Sequence, residues 1–127
     1  MKMSPLNSQS APRPLGGYSQ AVEVDGARRL LFISGQTPES AEGEVPRDFT
    51  GQARQVWENV FAQLAAAGMT GSNLAKVTIF LSSREFAVEN RSIRQEFLGS
   101  HAPALTVIIT GIFDDKWLLE IEAIAVA

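Results

Sequence analysis

Two glutamates one residue apart, Glu120 and Glu122, are the sharpest chemical feature of this 127-residue chain. They lie in the β-branched-rich run Leu118 to Val126, which predicts a strand, and the side-chain period of two puts both carboxylates on one face. Proton handling is the chemistry open to carboxylates. On an exposed strand they are simply solvated; on a central strand their burial is costly unless they are partnered or used. Asn90 is the second such feature. It shares a helical stripe with Phe86, Ile93 and Phe97, so it needs hydrogen-bond partners, either as a structural clasp or as a ligand contact.

Several chemistries are excluded by composition. There is no cysteine, which removes disulfides, thiolate nucleophiles and thiolate metal sites. The single histidine, His101, sits in a Ser-His-Ala-Pro loop and reads as a plain surface or interface residue. One histidine and scattered carboxylates make no zinc pattern, and a metal-free ribonuclease would want paired histidines. No metal or other cofactor is expected. The net charge is −3 and the basic residues (Arg28, Arg29, Arg54, Arg84, Arg91 and Arg94) are dispersed. Phosphate binding wants a concentrated basic face, with aromatics interleaved for stacking, so nucleic acid is not an expected partner. No apolar run approaches a membrane span, and Met1-Lys2 is followed by polar residues and proline where a signal peptide needs an apolar segment. The expectation is a cytoplasmic protein without membrane contact.

The elements that must position these residues follow from periodicity. Residues 1–13 lack any and read as a flexible arm before a single domain, 14–127. Tyr18 to Val24 leads through Asp25-Gly26, a hairpin signal, into Arg29 to Gln36, whose Leu30-Leu31-Phe32-Ile33 is apolar on both faces and so predicts a central strand. Thr37 to Pro46 is loop. Asp48 starts a helix in which Phe49, Ala53, Val56, Trp57, Val60, Leu64 and Ala67 recur at helical spacing. Gln52, Arg54, Gln55, Glu58 and Gln63 fall on its wet face, and Gly68 ends it. Lys76 to Leu81 is a buried strand. Ser83 caps a second helix that ends at Gly99, and Ala104 to Thr110 and Leu118 to Val126 are the last strands.

The order β-β-α-β-α-β-β predicts an α/β (α+β) mixed sheet with both helices on one face. Ile33, Val77, Ile79, Val107 and Ile109 make the strands too apolar for the other face to be wet, which predicts that it is buried against another copy of the chain.

Several segments, taken in order, resemble the Rid family (YjgF, or liver perchloric-acid-soluble protein, also labelled endoribonuclease L-PSP). They are Gly16-Gly17-Tyr18-Ser19-Gln20-Ala21, Leu31 to Pro38, Gln52 to Val60, Ala65 to Gly68, Lys76 to Phe80, Phe86 to Asn90, Ala102-Pro103-Ala104, and Glu120 to Ala125. The resemblance implies a chorismate-mutase-like fold with a six-stranded sheet backed by two helices, assembled as a barrel-like homotrimer. It implies small-molecule sites between subunits, where many members hydrolyse enamines and imines such as 2-aminoacrylate to a ketoacid and ammonia.

Carried onto this chain, the resemblance implies that Glu120 places the attacking water and that Tyr18, Ser34, Gly35 and Asn90 line the substrate site. Tyr18 is otherwise a strand aromatic at the subunit seam, and Gly35 a bulge or a point of close strand packing. One position departs sharply. Active members read Pro-Ala-Arg-Ser, the arginine holding the substrate carboxylate, and this chain reads Pro103-Ala104-Leu105-Thr106. Losing two charge-assisted hydrogen bonds costs about 3–6 kcal/mol, or roughly two to four powers of ten in affinity. Ile93 also stands where tyrosine is common, and Gly17 where proline is usual. The expectation is a deaminase of altered specificity, in which Arg13, Arg91 or Arg94 could meet a carboxylate instead, or a non-catalytic trimer that binds a small molecule or a partner in the same cleft.

Overall fold

A computed structural model describes residues 1–127. Its elements are β1 (Lys2–Leu6), β2 (Ala21–Asp25), β3 (Leu30–Gln36), α1 (Phe49–Ala66), β4 (Leu74–Leu81), α2 (Ala87–Leu98), β5 (Ala104–Ile109) and β6 (Leu119–Val126). Strands β3-β6-β4-β5 form a mixed sheet in that order, parallel only between β4 and β5, while β1 and β2 pair antiparallel in a separate ladder. Six strands are present, as the family resemblance implied, but they divide four and two.

The additional strand is β1. Its run Lys-Met-Ser-Pro-Leu was expected to be part of a loose arm, yet Met3 pairs with Val24 and Pro5 with Val22. Pro5 is tolerated because β1 has only one hydrogen-bonded neighbour. This pairing also overturns the expected hairpin. The chain does turn at Gly26 (φ +74°), but β2 joins β1 while β3 joins β6. Strand β3 is therefore an edge, not a centre. Leu30 and Phe32 are apolar on its outer face without cover, 61% and 70% exposed.

Both helices lie where the patterns put them. The Asp48 side chain accepts from the Gly51 N–H at 3.2 Å, and Gly68 (φ +71°) follows the helix end. Ser83 caps a 3-10 turn, Arg84–Phe86, that leads into α2, and Gly99 (φ +59°) ends it. The core lies between helices and sheet, with Trp57 stacked on Phe97 at 5.9 Å and Phe49 on Phe86 at 4.5 Å. Gln52, expected on the wet face of α1, is instead buried. Its Nε2 donates to the Pro46 and Lys116 carbonyls, and its Oε1 accepts from the Leu118 N–H.

The sheet faces also need correction. Ile33, Val77, Ile79 and Ile109 pack into the helix-side core, so they do not make the other face apolar. That face carries Leu30, Phe32 and Ile108 among Lys76, Thr78, Thr106, Glu120 and Glu122, and no element of the chain covers it. No helix is long and apolar enough to cross a membrane.

Candidate functional site

Strand β6 runs between β3 and β4, so Glu120 and Glu122 stand on a central strand. Leu119, Ile121, Ala123 and Ala125 alternate with them into the core, which fixes both carboxylates on the uncovered face. Glu120 is half-buried and Glu122 exposed. Burial first, and the Glu122 charge second, hold the Glu120 carboxyl above the ordinary carboxylate range.

Ser34 and Gly35 sit at a register shift in β3, between the pairs Ile33–Ala123 and Gln36–Ile121. Both readings of Gly35 hold: it lies in a bulge and it is a point of close approach. A Cβ there would overlap the Glu120 carboxylate. Beside this pair, Phe32, Ser34, Lys76, Thr78 and Glu122 line a shallow cleft of about 230 Å³. Thr106 belongs to this face and accepts from Lys76 Nζ at 2.7 Å.

Tyr18 and Leu105 belong to a different cleft. Leu105 pairs with Val77 and turns to the helix side of the sheet, where it meets Tyr18, Gln20, Arg91, Arg94 and Val107 around about 330 Å³. Ser19 ties the Tyr18 segment to the start of β5. Its N–H donates to the Pro103 carbonyl at 3.0 Å and its hydroxyl to the Ala102 carbonyl at 2.6 Å. The Tyr18 hydroxyl accepts from the Leu15 N–H at 3.2 Å and keeps its own proton free to donate.

Within one chain, then, Glu120, Ser34, Gly35 and Thr106 share one face of the sheet, while Tyr18 and Leu105 lie on the other. Asn90 lines neither cleft. It is 3% exposed and its Oδ1 has no partner, so of the two roles expected of it, structural clasp or ligand contact, the clasp is not made within the chain. His101 is structural, its Nε2 donating to the Leu74 carbonyl at 2.7 Å.

Sequence reasoning passed over Ser19, and it counted Arg94 among the dispersed basic residues while offering it, with Arg13 and Arg91, as a group that could meet a carboxylate. Arg94 is 4% exposed and is the only charged side chain in the buried set. The signal was there in outline: Asn90, Ile93, Arg94 and Leu98 follow the i, i+3, i+4, i+8 spacing of a buried helix face.

Residues 8–127 match the family model described as Endoribonuclease L-PSP. A RutC family protein of Pyrococcus horikoshii is 37% identical over 120 residues, covering 93% of each chain. TdcF of Escherichia coli, named provisionally as a reactive intermediate deaminase, is 35% identical over 125 residues, covering 95% of each. Its crystal structure with bound serine superposes with a TM-score of 0.73 at 33% identity over 98% of both chains. YyfB of Yersinia pestis, described as a conserved Rid-family protein, superposes at 0.84 with 25% identity over the full length of both.

Proposed function

Because the chain belongs to the Rid family, we propose that it hydrolyses reactive enamines or imines of small metabolites, as a homotrimer with its sites between subunits and a specificity shifted from 2-iminopropanoate. The observation that carries this reading is Glu120, a carboxylate on the central strand of an uncovered face, pressed against Gly35, with its pKa raised by burial. A base whose pKa moves toward the working pH is better matched to proton transfer at neutrality.

In the proposed reaction, Glu120 takes a proton from water as the water oxygen bonds to the imine carbon. That proton passes to the nitrogen to give a carbinolamine; the carbinolamine hydroxyl then gives its proton, by way of Glu120, to the same nitrogen as the C–N bond breaks, so that ammonia leaves a ketone behind. The opposite placement of Glu120 and Tyr18 in one chain supports a site completed by a neighbour, and the exposed Leu30, Phe32 and Ile108 supply an apolar surface for that neighbour to cover. Serine bound in TdcF supports a small polar ligand of amino-acid type.

A specific residue favours a second reading. Leu105 cannot donate to a carboxylate, which suits a trimer that binds a small molecule without turning it over. Release of ketoacid from imines generated in situ separates the two readings. The deaminase reading expects acceleration by the native protein and its loss, at least tenfold, in Glu120→Gln. Full binding of the ketoacid product with no acceleration by the native protein would replace it with the binding-protein reading. RNA cleavage is not proposed, since the net charge is −3 and Arg54 is already committed to Glu96 at 2.8 Å.

A further inference from the structure

The cleft beside Tyr18 holds a buried cation without a counter-charge. The Arg94 side chain makes no ion pair and no hydrogen bond within the chain, and its Nε is enclosed without a partner. The charge of Arg91, at the rim of the same cleft, acts on it with the same sign. A buried, unpaired guanidinium is strongly unfavourable and persists where something else rewards it. Burial first and Arg91 second pull its pKa down, but a guanidinium stays charged throughout the working range.

The space that Arg94 occupies is left open by Gly17. Its Nη2 lies 3.1 Å from where a Cβ on Gly17 would stand, and Gly17 has φ +76°. Proline, fixed near −65°, fits neither that backbone nor that space. Leu105 lines the same cleft and brings no second charge into it. Gly17, Leu105 and Arg94 therefore fit together: Gly17 leaves the room, Leu105 adds no charge, and Arg94 brings a cation into the cleft from α2.

We propose that Arg94, flanked by Arg91, is the carboxylate anchor of this site, so that the ligand keeps an acidic group but is held from α2 instead of from β5. The Tyr18 hydroxyl, on the same wall, is placed to donate to the same carboxylate. This rests on the small-molecule site proposed above but not on catalysis there.

The test is calorimetric titration of the full-length protein with 2-oxobutanoate and with its neutral amide, 2-oxobutanamide. The acid should bind and the amide should bind at least tenfold more weakly. Arg94→Gln should lose roughly 10- to 100-fold in affinity for the acid and little for the amide. A second variant leaves Arg94 in place. Leu105→Glu supplies an internal carboxylate, and it should abolish acid binding while melting no lower than Leu105→Gln. Equal binding of acid and amide, or an Arg94→Gln variant that keeps its fold and its affinity, would overturn the proposal. So would an Arg94→Gln variant that loses only its subunit assembly, because Arg94 would then pair with a neighbouring chain. Turnover is scored separately: neutral imines hydrolysed without acid binding would sink the anchor and leave the deaminase reading standing. Acid binding without any turnover would do the reverse.

Discussion

The Glu120 carboxylate fills the space that a side chain at Gly35 would need. The overlap involves the mobile end of a glutamate, so a methyl group can enter by turning that glutamate aside. Gly35→Ala should therefore fold, with a melting temperature within a few degrees of the native one, while turnover falls at least tenfold through misplacement of the carboxylate. Thermal melting and ketoacid release check the two halves. Unchanged turnover in a folded Gly35→Ala variant would show that Glu120 needs no particular seat.

The raised pKa of Glu120 sets opposite trends for stability and turnover. A carboxyl whose folded-state pKa lies above its unfolded one binds more protons in the native state between the two values. Its contribution to stability is therefore complete below the unfolded pKa and is lost as pH rises through the folded one. Glu120→Gln should melt higher than the native protein at neutral pH, and the gap should close below the ordinary carboxylate range. Native turnover should instead rise with pH through the same interval as the base ionises. Paired melting and rate profiles against pH test this, and a gap that widens in acid would reverse the sign argued here.

What could be read in advance divides along physical lines. Helix α1 was legible because three independent signals agree: the apolar period, the Asp48 cap and the Gly68 stop. Strand β1 was not, because its pairing with β2 is long-range and its own residues, with Pro5 among them, carry little strand pattern. The double-sided apolarity of β3 points to a central strand, yet β3 is an edge whose outward Leu30 and Phe32 are exposed, and apolarity on both faces does not by itself tell the two apart. Glu120 and Glu122 share one face of β6, as the side-chain period predicts, and Gly35 on the neighbouring strand lies against Glu120. The burial of Arg94 shows in the sequence only as helical spacing with Asn90, Ile93 and Leu98, because the room for its guanidinium comes from the missing side chain at Gly17, far away in the chain.

The uncovered face predicts assembly. Phe32 is 70% exposed on an edge strand, beside the cleft that contains Ser34 and Lys76. Sedimentation equilibrium at low micromolar concentration should give about three chain masses for the native protein and one for Phe32→Glu, which buries a charge at the seam. Because Phe32 lies outside the core, the variant's far-UV circular dichroism should match the native spectrum. A monomeric native protein would remove the second wall of the proposed site.

Gln52 predicts a loss of stability remote from chemistry. It satisfies two carbonyls and one N–H from the segments at Pro46 and Lys116–Leu118, all from a buried position. Gln52→Leu keeps the bulk but strands those groups, at a cost of about 2–4 kcal/mol. Urea unfolding monitored by tryptophan fluorescence should report it. A change below about 0.5 kcal/mol would mean that water replaces the amide at that depth.

Leu105 leaves two outcomes to separate, a site without an anchoring cation or one whose cation is Arg94. If Leu105 marks a simple loss, Leu105→Arg with Arg94 intact should raise turnover of 2-iminopropanoate. If Arg94 has taken the role, the same change crowds a third guanidinium against Arg91 and Arg94 in one cleft of about 330 Å³. The variant should then melt lower than the native protein and gain no activity. Arg94→Gln alone should lose roughly 10- to 100-fold in turnover of the acid-bearing imine. The double variant, Leu105→Arg with Arg94→Gln, moves the cation back to β5 without adding charge, so it should recover part of the lost rate and most of the lost stability. The two changes must then be strongly non-additive, as expected for residues sharing one cleft. Additive effects across the four proteins, with Leu105→Arg alone already the fastest, would show that Arg94 is no anchor.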